Sequence, residues 1–215
     1  MNYPLIGLLG GTFDPVHNGH LAIATHCMKA HHLNALYFIP NQNKHHKDSV
    51  AASGPDRLAM LKLATQHQTN WHIDEHELNQ STPAFTIDTL KHYRDQDSRR
   101  ALCFILSVEC FNLLHTWRQH QQLMNYCHLI VVGRHLHVIG ENPWQRNLIR
   151  QYQVENAQSL SRYTHGKILI DAYQPPCSSS SEIQAWLKSG DHALQLQQAL
   201  PPGVMQYIKH CDLYR

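Results

Sequence analysis

Gly10-Gly11-Thr12-Phe13-Asp14-Pro15-Val16-His17-Asn18-Gly19-His20 is the stretch whose reading decides the fold. It follows the apolar run Leu5-Ile6-Gly7-Leu8-Leu9 and precedes Leu21, Ala24, Cys27 and Met28, which repeat at helical spacing. The run predicts a central parallel strand, and the periodic stretch predicts a helix starting near Leu21. α/β proteins place phosphate groups at a glycine turn of this kind. The first helix N–H groups there lack partners, and the positive end of the helix dipole faces the turn. Gly10 and Gly11 let the backbone approach a ligand, Pro15 stiffens the turn, and Gly19 keeps the helix start thin. His17 and His20 at the helix entrance can donate hydrogen bonds to phosphate oxygens. Such donors stabilise the charge that develops in phosphoryl or nucleotidyl transfer. The plainer alternative is a tight turn with two incidental histidines, in a chain that has 19 of them. The pattern is neither the dinucleotide fingerprint G-x-G-x-x-G nor a Walker A loop, since no G-K-[ST] follows.

Outward from this loop the chain alternates. Ala35 to Ile39 reads as a second strand, stopped by Pro40, so Leu5 to Ile39 forms a β-loop-α-β unit. Asn41 to Gly54 is a polar loop, and Asp56 to Gln68 is an amphipathic helix. Trp71 to Asp74 is a short strand, Thr86 to Tyr93 a helix, and Ala101 to Leu106 and Cys127 to Val132 are buried strands. Arg134 to His165 is polar and poorly periodic, and reads as an excursion before a last strand at Lys167 to Ile170. Helices follow from Ser179 and from Pro201-Pro202. The alternation predicts an α/β, doubly wound parallel sheet. The 215 residues suit one domain, with residues 179–215 as a small helical part within it.

Composition narrows the function classes. A formal net charge of +2 gives no field for nucleic acid or a membrane surface. No apolar run is long enough to span a bilayer, and Met1 leads directly into the first strand. The six cysteines form no C-x-x-C pair; Cys103, Cys110 and Cys127 lie in apolar surroundings and read as core thiols. The expectation is a cytoplasmic protein without disulfides. The adjacent pair His45-His46 lacks metal-ligand spacing, and no protein metal site is expected.

Gly11, Phe13, Pro15, His17, Gly19 and His20 match the first signature of the H-x-G-H nucleotidyltransferase superfamily. Gly10 to His17 more closely resembles the bacterial nicotinate mononucleotide adenylyltransferase family. The similarity runs through most of the chain: Ile39-Pro40-Asn41 with His46-Lys47, Arg57 with Met60-Leu61, Pro83-Ala84-Phe85-Thr86 with Thr89-Leu90, Trp117, His128 to Val132, Arg134 and the closing Asp212-Leu213-Tyr214-Arg215. The resemblance implies transfer of the adenylyl group of ATP to nicotinate mononucleotide, giving deamido-NAD and pyrophosphate. Mg²⁺ would arrive with ATP. Related transferases that use nicotinamide mononucleotide or phosphopantetheine, and a nucleotide-binding protein with weakened catalysis, are the alternatives. The segment at Pro83 to Thr86 counts against phosphopantetheine.

By the same resemblance His17 and His20 are the catalytic residues. Gly10, Gly11, Thr12, Phe13, Gly19, Glu109, Ser179, Ser180, Ser181 and Ile183 would complete the ATP site with them. His46, Lys47, Thr86, Trp117 and Arg134 would bind nicotinate mononucleotide. Each has a plainer reading: a helix cap for Thr86 and the serines, a packing role for Trp117, a surface position for Arg134. Two departures from the family pattern stand out. Ser107-Val108-Glu109 replaces G-x-D after the fourth strand, and Gln184 stands where the second signature has arginine. A neutral amide in place of a guanidinium fork predicts loss of about 1.5–3 kcal/mol of polyphosphate binding.

Overall fold

A computed structural model of the chain describes residues 2–42, 51–133, 139–140, 142–176 and 179–215. Among these residues one seven-stranded sheet is formed by β1 (Leu5–Gly11), β2 (Ala35–Pro40), β3 (Trp71–Ile73), β4 (Ala101–Ser107), β5 (His128–Val132), β6 (Gln153–Val154) and β7 (Ile168–Asp171). The order is β3-β2-β1-β4-β5-β7-β6, and every pairing is parallel. The direction of winding reverses between β1 and β4, which pair from Leu5↔Ala101 to Leu9↔Ile105. In an open α/β sheet the crevice beyond the strand ends at such a switch point is where ligands bind. The Gly10–His20 loop leaves β1 at that point.

Both faces of the sheet are covered, which explains the continuous apolar runs. Leu5 and Leu9 of β1 with Cys103 and Ile105 of β4 enter one core. Ile6 and Leu8 with Leu102, Phe104 and Leu106 enter the other. The first core also takes Phe13 and Val16 of the loop, Met60 and Leu61 of α2 (Gly54–Thr65), and Ile183, Leu196, Val204, Ile208 and Tyr214 from the C-terminal helices. Those helices are α7 (Ser180–Ser189), α8 (Ala193–Ala199) and α9 (Pro202–His210). Ile87, Leu90 and Tyr93 of α3 (Thr86–Gln96) pack on the opposite face. No helix among the described residues is long and apolar enough to cross a membrane.

Three details differ from the sequence expectation. The first helix, α1 (Asn18–Ala30), begins three residues before Leu21, because His17 acts as its N-cap. The stretch read as an excursion holds α5 (Pro143–Tyr152), the short edge strand β6 and α6 (Ala157–Ser161). Asn142 and Asn156 cap these helices, but β6 has only two residues, too few for a period to show. Cys103 and Cys127 are buried as expected. Cys110, on the outer side of α4 (Val108–Asn112), is exposed.

Candidate active site

At the head of α1 two histidines form a reciprocal cap. The backbone N–H of Gly19 donates to His17 Nδ1 at 3.1 Å, and the backbone N–H of His17 donates to His20 Nδ1 at 3.3 Å. This is the capping-box arrangement with imidazoles in place of the usual Ser/Thr and Glu/Gln. Each Nδ1 must be unprotonated to accept, so the neutral ring carries its proton on Nε2. The rings lie 3.8 Å apart between centroids. Burial lowers the pKa of His17 to about 4. Burial, with the neighbouring His17, lowers His20 well below the usual histidine range. Both are neutral N–H donors at pH 7.

Phe13 anchors the loop behind them. It is 1% exposed, adopts a left-handed conformation (φ 49°), and meets the rings of His20 at 5.0 Å and Phe38 at 5.7 Å edge-on. A non-glycine residue in that region costs on the order of 1–3 kcal/mol, sustained by the surrounding packing. A Cβ on Gly11 would sit 3.1 Å from the Phe13 ring, so Gly11 makes room for this packing.

The loop is tied down from four directions. Asp14 is buried and accepts from the backbone N–H of Ala51 (2.8 Å) and Ala52 (3.2 Å) and from the Tyr214 hydroxyl (2.6 Å). Arg57, 2% exposed, donates from Nη1 to the carbonyls of Thr12 (2.7 Å) and Asn41 (2.9 Å). Burial pulls the Arg57 pKa down, opposed chiefly by the Asp14 carboxylate. Ser180 Oγ donates to the Pro15 carbonyl at 3.1 Å, and Gln184 Nε2 donates to the Asp14 carbonyl at 2.5 Å. Asn18 Nδ2 reaches the Gln198 carbonyl at 2.7 Å.

The serine run therefore meets the opening loop. Ser179 is the N-cap of α7 in a capping box with Glu182: its Oγ accepts from the Glu182 N–H at 3.3 Å, while Glu182 Oε2 accepts from the Ser179 N–H at 2.7 Å. Ser181 lies in the first turn. Ile183 is fully buried in the core that holds Phe13 and Val16. Gln184 faces the loop backbone, and its amide holds the Asp14 carbonyl.

Other candidates among the described residues follow β3 and β4 in the chain. Trp117 is half-buried and meets Phe104 of β4 edge-on at 6.0 Å; a Cβ on Gly10 would lie 3.4 Å from that Phe104 ring. Phe85 packs on the same core as Trp117 and carries the Arg118 guanidinium 4.6 Å above its ring. Thr86 is the first residue of α3 and half-buried, and the N-cap residue Phe85 makes no side-chain cap hydrogen bond. Ser107 caps α4, its Oγ accepting from the Cys110 N–H at 3.1 Å, and Glu109 is exposed in that helix's first turn. Gly10, Gly11, Thr12, Phe13 and Gly19 all belong to the loop itself. His46, Lys47 and Arg134 lie outside the described residues.

Sequence reasoning gave no role to Asp14, Arg57 or Tyr214. Arg57 sits among apolar residues of an amphipathic helix, and a buried arginine there was the available signal. The contact between Asp14 and Tyr214 joins residues 200 positions apart, beyond any local pattern.

Comparison with known proteins agrees with this geometry. Residues 8–185 match the cytidylyltransferase-like family. The chain is 39% identical over 214 residues to a Coxiella burnetii protein named "Probable nicotinate-nucleotide adenylyltransferase", covering 99% of both chains. It is 35% identical to a protein of the same name from Aeromonas hydrophila, covering 99% of this chain and 98% of the relative. Plasmodium falciparum nicotinic acid mononucleotide adenylyltransferase complexed with NaAD has the same fold, with a TM-score of 0.72 at 18% identity over 99% of this chain and 98% of that one. With the H-x-G-H loop at the switch point and relatives of this identity along its whole length, the chain belongs to the nicotinate-nucleotide adenylyltransferase family of cytidylyltransferase-like enzymes.

Proposed function

We propose that the chain transfers the adenylyl group of ATP to nicotinate mononucleotide, releasing pyrophosphate and forming deamido-NAD, a step of NAD biosynthesis. A phosphate oxygen of the mononucleotide attacks the α-phosphorus of ATP, and the bond from that phosphorus to the bridging oxygen of pyrophosphate breaks. The attacking phosphate is ionised at neutral pH, so the reaction needs alignment and charge stabilisation rather than a base. The observation that carries the reading is the histidine pair. Each Nδ1 accepts a backbone N–H, which fixes an Nε2–H donor on each ring at the head of α1. Donors held in place before reaction stabilise developing charge without reorganising.

ATP occupies the loop from Gly10 to His20 and reaches toward Ser179–Ile183 and Glu109. Mg²⁺ bound with ATP would supply neutralisation of the phosphate charge. The Asp14 carboxylate is buried and engaged in holding the loop, bonded to Ala51, Ala52 and Tyr214. Nicotinate mononucleotide lies toward Trp117 and Thr86. The positive N-terminus of α3 favours an anionic nicotinate carboxylate over a neutral carboxamide, whose oxygen its N–H groups can also reach. His46, Lys47 and Arg134 complete that side by family resemblance. Residues 1–215 act as one domain, with 179–215 forming the back wall of the loop. Incubation with MgATP and nicotinate mononucleotide, followed by mass analysis, should yield deamido-NAD. Its absence, with the protein folded, would reject the reading.

A further inference from the structure

Away from the loop, the far end of α1 carries a second concentration of histidine chemistry. His26 lies in the penultimate turn of α1 and His31 is its C-cap residue. Their Nε2 atoms converge on one oxygen, Oδ2 of Asp171 at the end of β7, at 2.7 and 2.8 Å. The three ligand-type atoms lie within 4.8 Å of one another, and among the described residues no other group of three or more His, Cys, Asp or Glu side chains is so placed. Two imidazoles and a carboxylate are donors suited to a divalent first-row transition ion. We propose that His26, His31 and Asp171 form a binding site for such an ion, with Zn²⁺ as the representative.

The surroundings fit a ligand set better than an incidental contact. Asp171 Oδ1 accepts the backbone N–H of Tyr173 at 2.9 Å, which orients the carboxylate and leaves Oδ2 turned to the histidines. The Tyr173 ring stacks on His26 at 3.9 Å with planes 6° apart, fixing the plane of that imidazole. Groups outside the ligands that orient them in this way are a regular part of metal sites. Zinc ligands at about 2.0–2.2 Å from the ion lie roughly 3.4 Å from each other. The two N···O distances, 2.7 and 2.8 Å, need to open by roughly 0.6–0.7 Å to reach that value, a side-chain adjustment. Each imidazole moves its proton to Nδ1 and presents the Nε2 lone pair, so no oxidant or base is required. The His26 side chain is 25% exposed, and a surface cleft of about 360 Å³ reaches His31. The exposed edge of His26 lets an ion approach from solvent, and water would fill its remaining position. Bound there, it would join the end of α1 to β7, on the helix whose other end carries His17 and His20.

The test is calorimetric titration of the full chain with Zn²⁺ alone, in chelator-free buffer. The comparison set is wild type, His26→Gln, Asp171→Asn and His115→Gln, the last an exposed histidine outside the cluster. The expected result is one equivalent bound by wild type and by His115→Gln, with affinity reduced tenfold or more in His26→Gln and Asp171→Asn. Zinc should also raise the thermal midpoint of wild type but not of His26→Gln. His26 is partly exposed, so that variant decides the matter if Asp171→Asn fails to fold. No one-to-one zinc binding by wild type, or equal binding by His26→Gln, would overturn the proposal. Neither outcome bears on adenylyl transfer.

Discussion

The Tyr214 hydroxyl donates a 2.6 Å hydrogen bond to Oδ1 of Asp14, closing the C-terminus onto the glycine loop. Both residues are 5% exposed, so water cannot replace the bond. Tyr214→Phe should lower unfolding free energy by about 1–3 kcal/mol, the cost of leaving a buried carboxyl short of a donor. Urea denaturation with an unchanged slope checks this. Because the loop is also held by Arg57, Ser180 and Gln184, the variant should keep measurable activity.

His17 caps α1 and is proposed to donate to phosphate, and one substitution separates these roles. Asparagine is a good N-cap but lacks the Nε2–H. His17→Asn should hold the thermal midpoint near that of wild type while kcat falls about 10²–10³-fold, the usual loss for one preorganised donor. Steady-state kinetics beside a melting curve tests this directly. A full-rate variant would reduce His17 to a structural cap.

The same burial predicts a pH effect on stability. His17 and His128 both titrate near 4 in the folded protein, each because burial disfavours the charged ring. His128 accepts the Lys167 N–H at Nδ1 (3.1 Å), which requires the neutral ring, while its Nε2 contact with the Tyr163 carbonyl (3.0 Å) works the other way and only partly offsets burial. In the unfolded chain each histidine takes up a proton near 6.5. The unfolded state therefore binds more protons between about 6.5 and 4, and stability falls as pH drops through that window. The loss approaches about 3 kcal/mol per histidine at its lower end. Denaturant melts from pH 7.5 to 4.5 should show it, with His128→Gln removing part of the slope. Above pH 6.5 these groups should leave stability flat.

Gln184 tests the departure from the family pattern. Its amide holds the Asp14 carbonyl. Gln184→Arg retains a donor for that carbonyl and adds a cation toward the polyphosphate, so the KM for ATP should fall about tenfold or more. Gln184→Ala should instead cost about 1 kcal/mol of stability through the lost hydrogen bond. ATP titrations of both variants distinguish the two contributions.

The fold was legible where periodicity and punctuation are strong. Leu5–Leu9, Ala101–Leu106 and the glycine loop between strand and helix set the parallel sheet and its switch point. β6 escaped notice because two residues carry no period, and α1 was started late because histidine is not an expected cap. The loop's own residues were legible as a glycine turn between strand and helix. Its supports were not: Asp14–Tyr214 and Gln184–Asp14 are contacts that only tertiary folding creates. The His26–His31–Asp171 cluster was invisible for the same reason, since its carboxylate comes from a strand 140 residues beyond His31.

The most direct measurement is pyrophosphate release by the wild-type chain with MgATP and, in parallel, nicotinate or nicotinamide mononucleotide. The proposed placement of the nicotinate carboxylate at the N-terminus of α3 predicts a kcat/KM at least about tenfold higher for nicotinate mononucleotide, equivalent to one favourable charge contact of about 1.4 kcal/mol. Equal rates with both acceptors, or a preference for nicotinamide mononucleotide, would contradict the account.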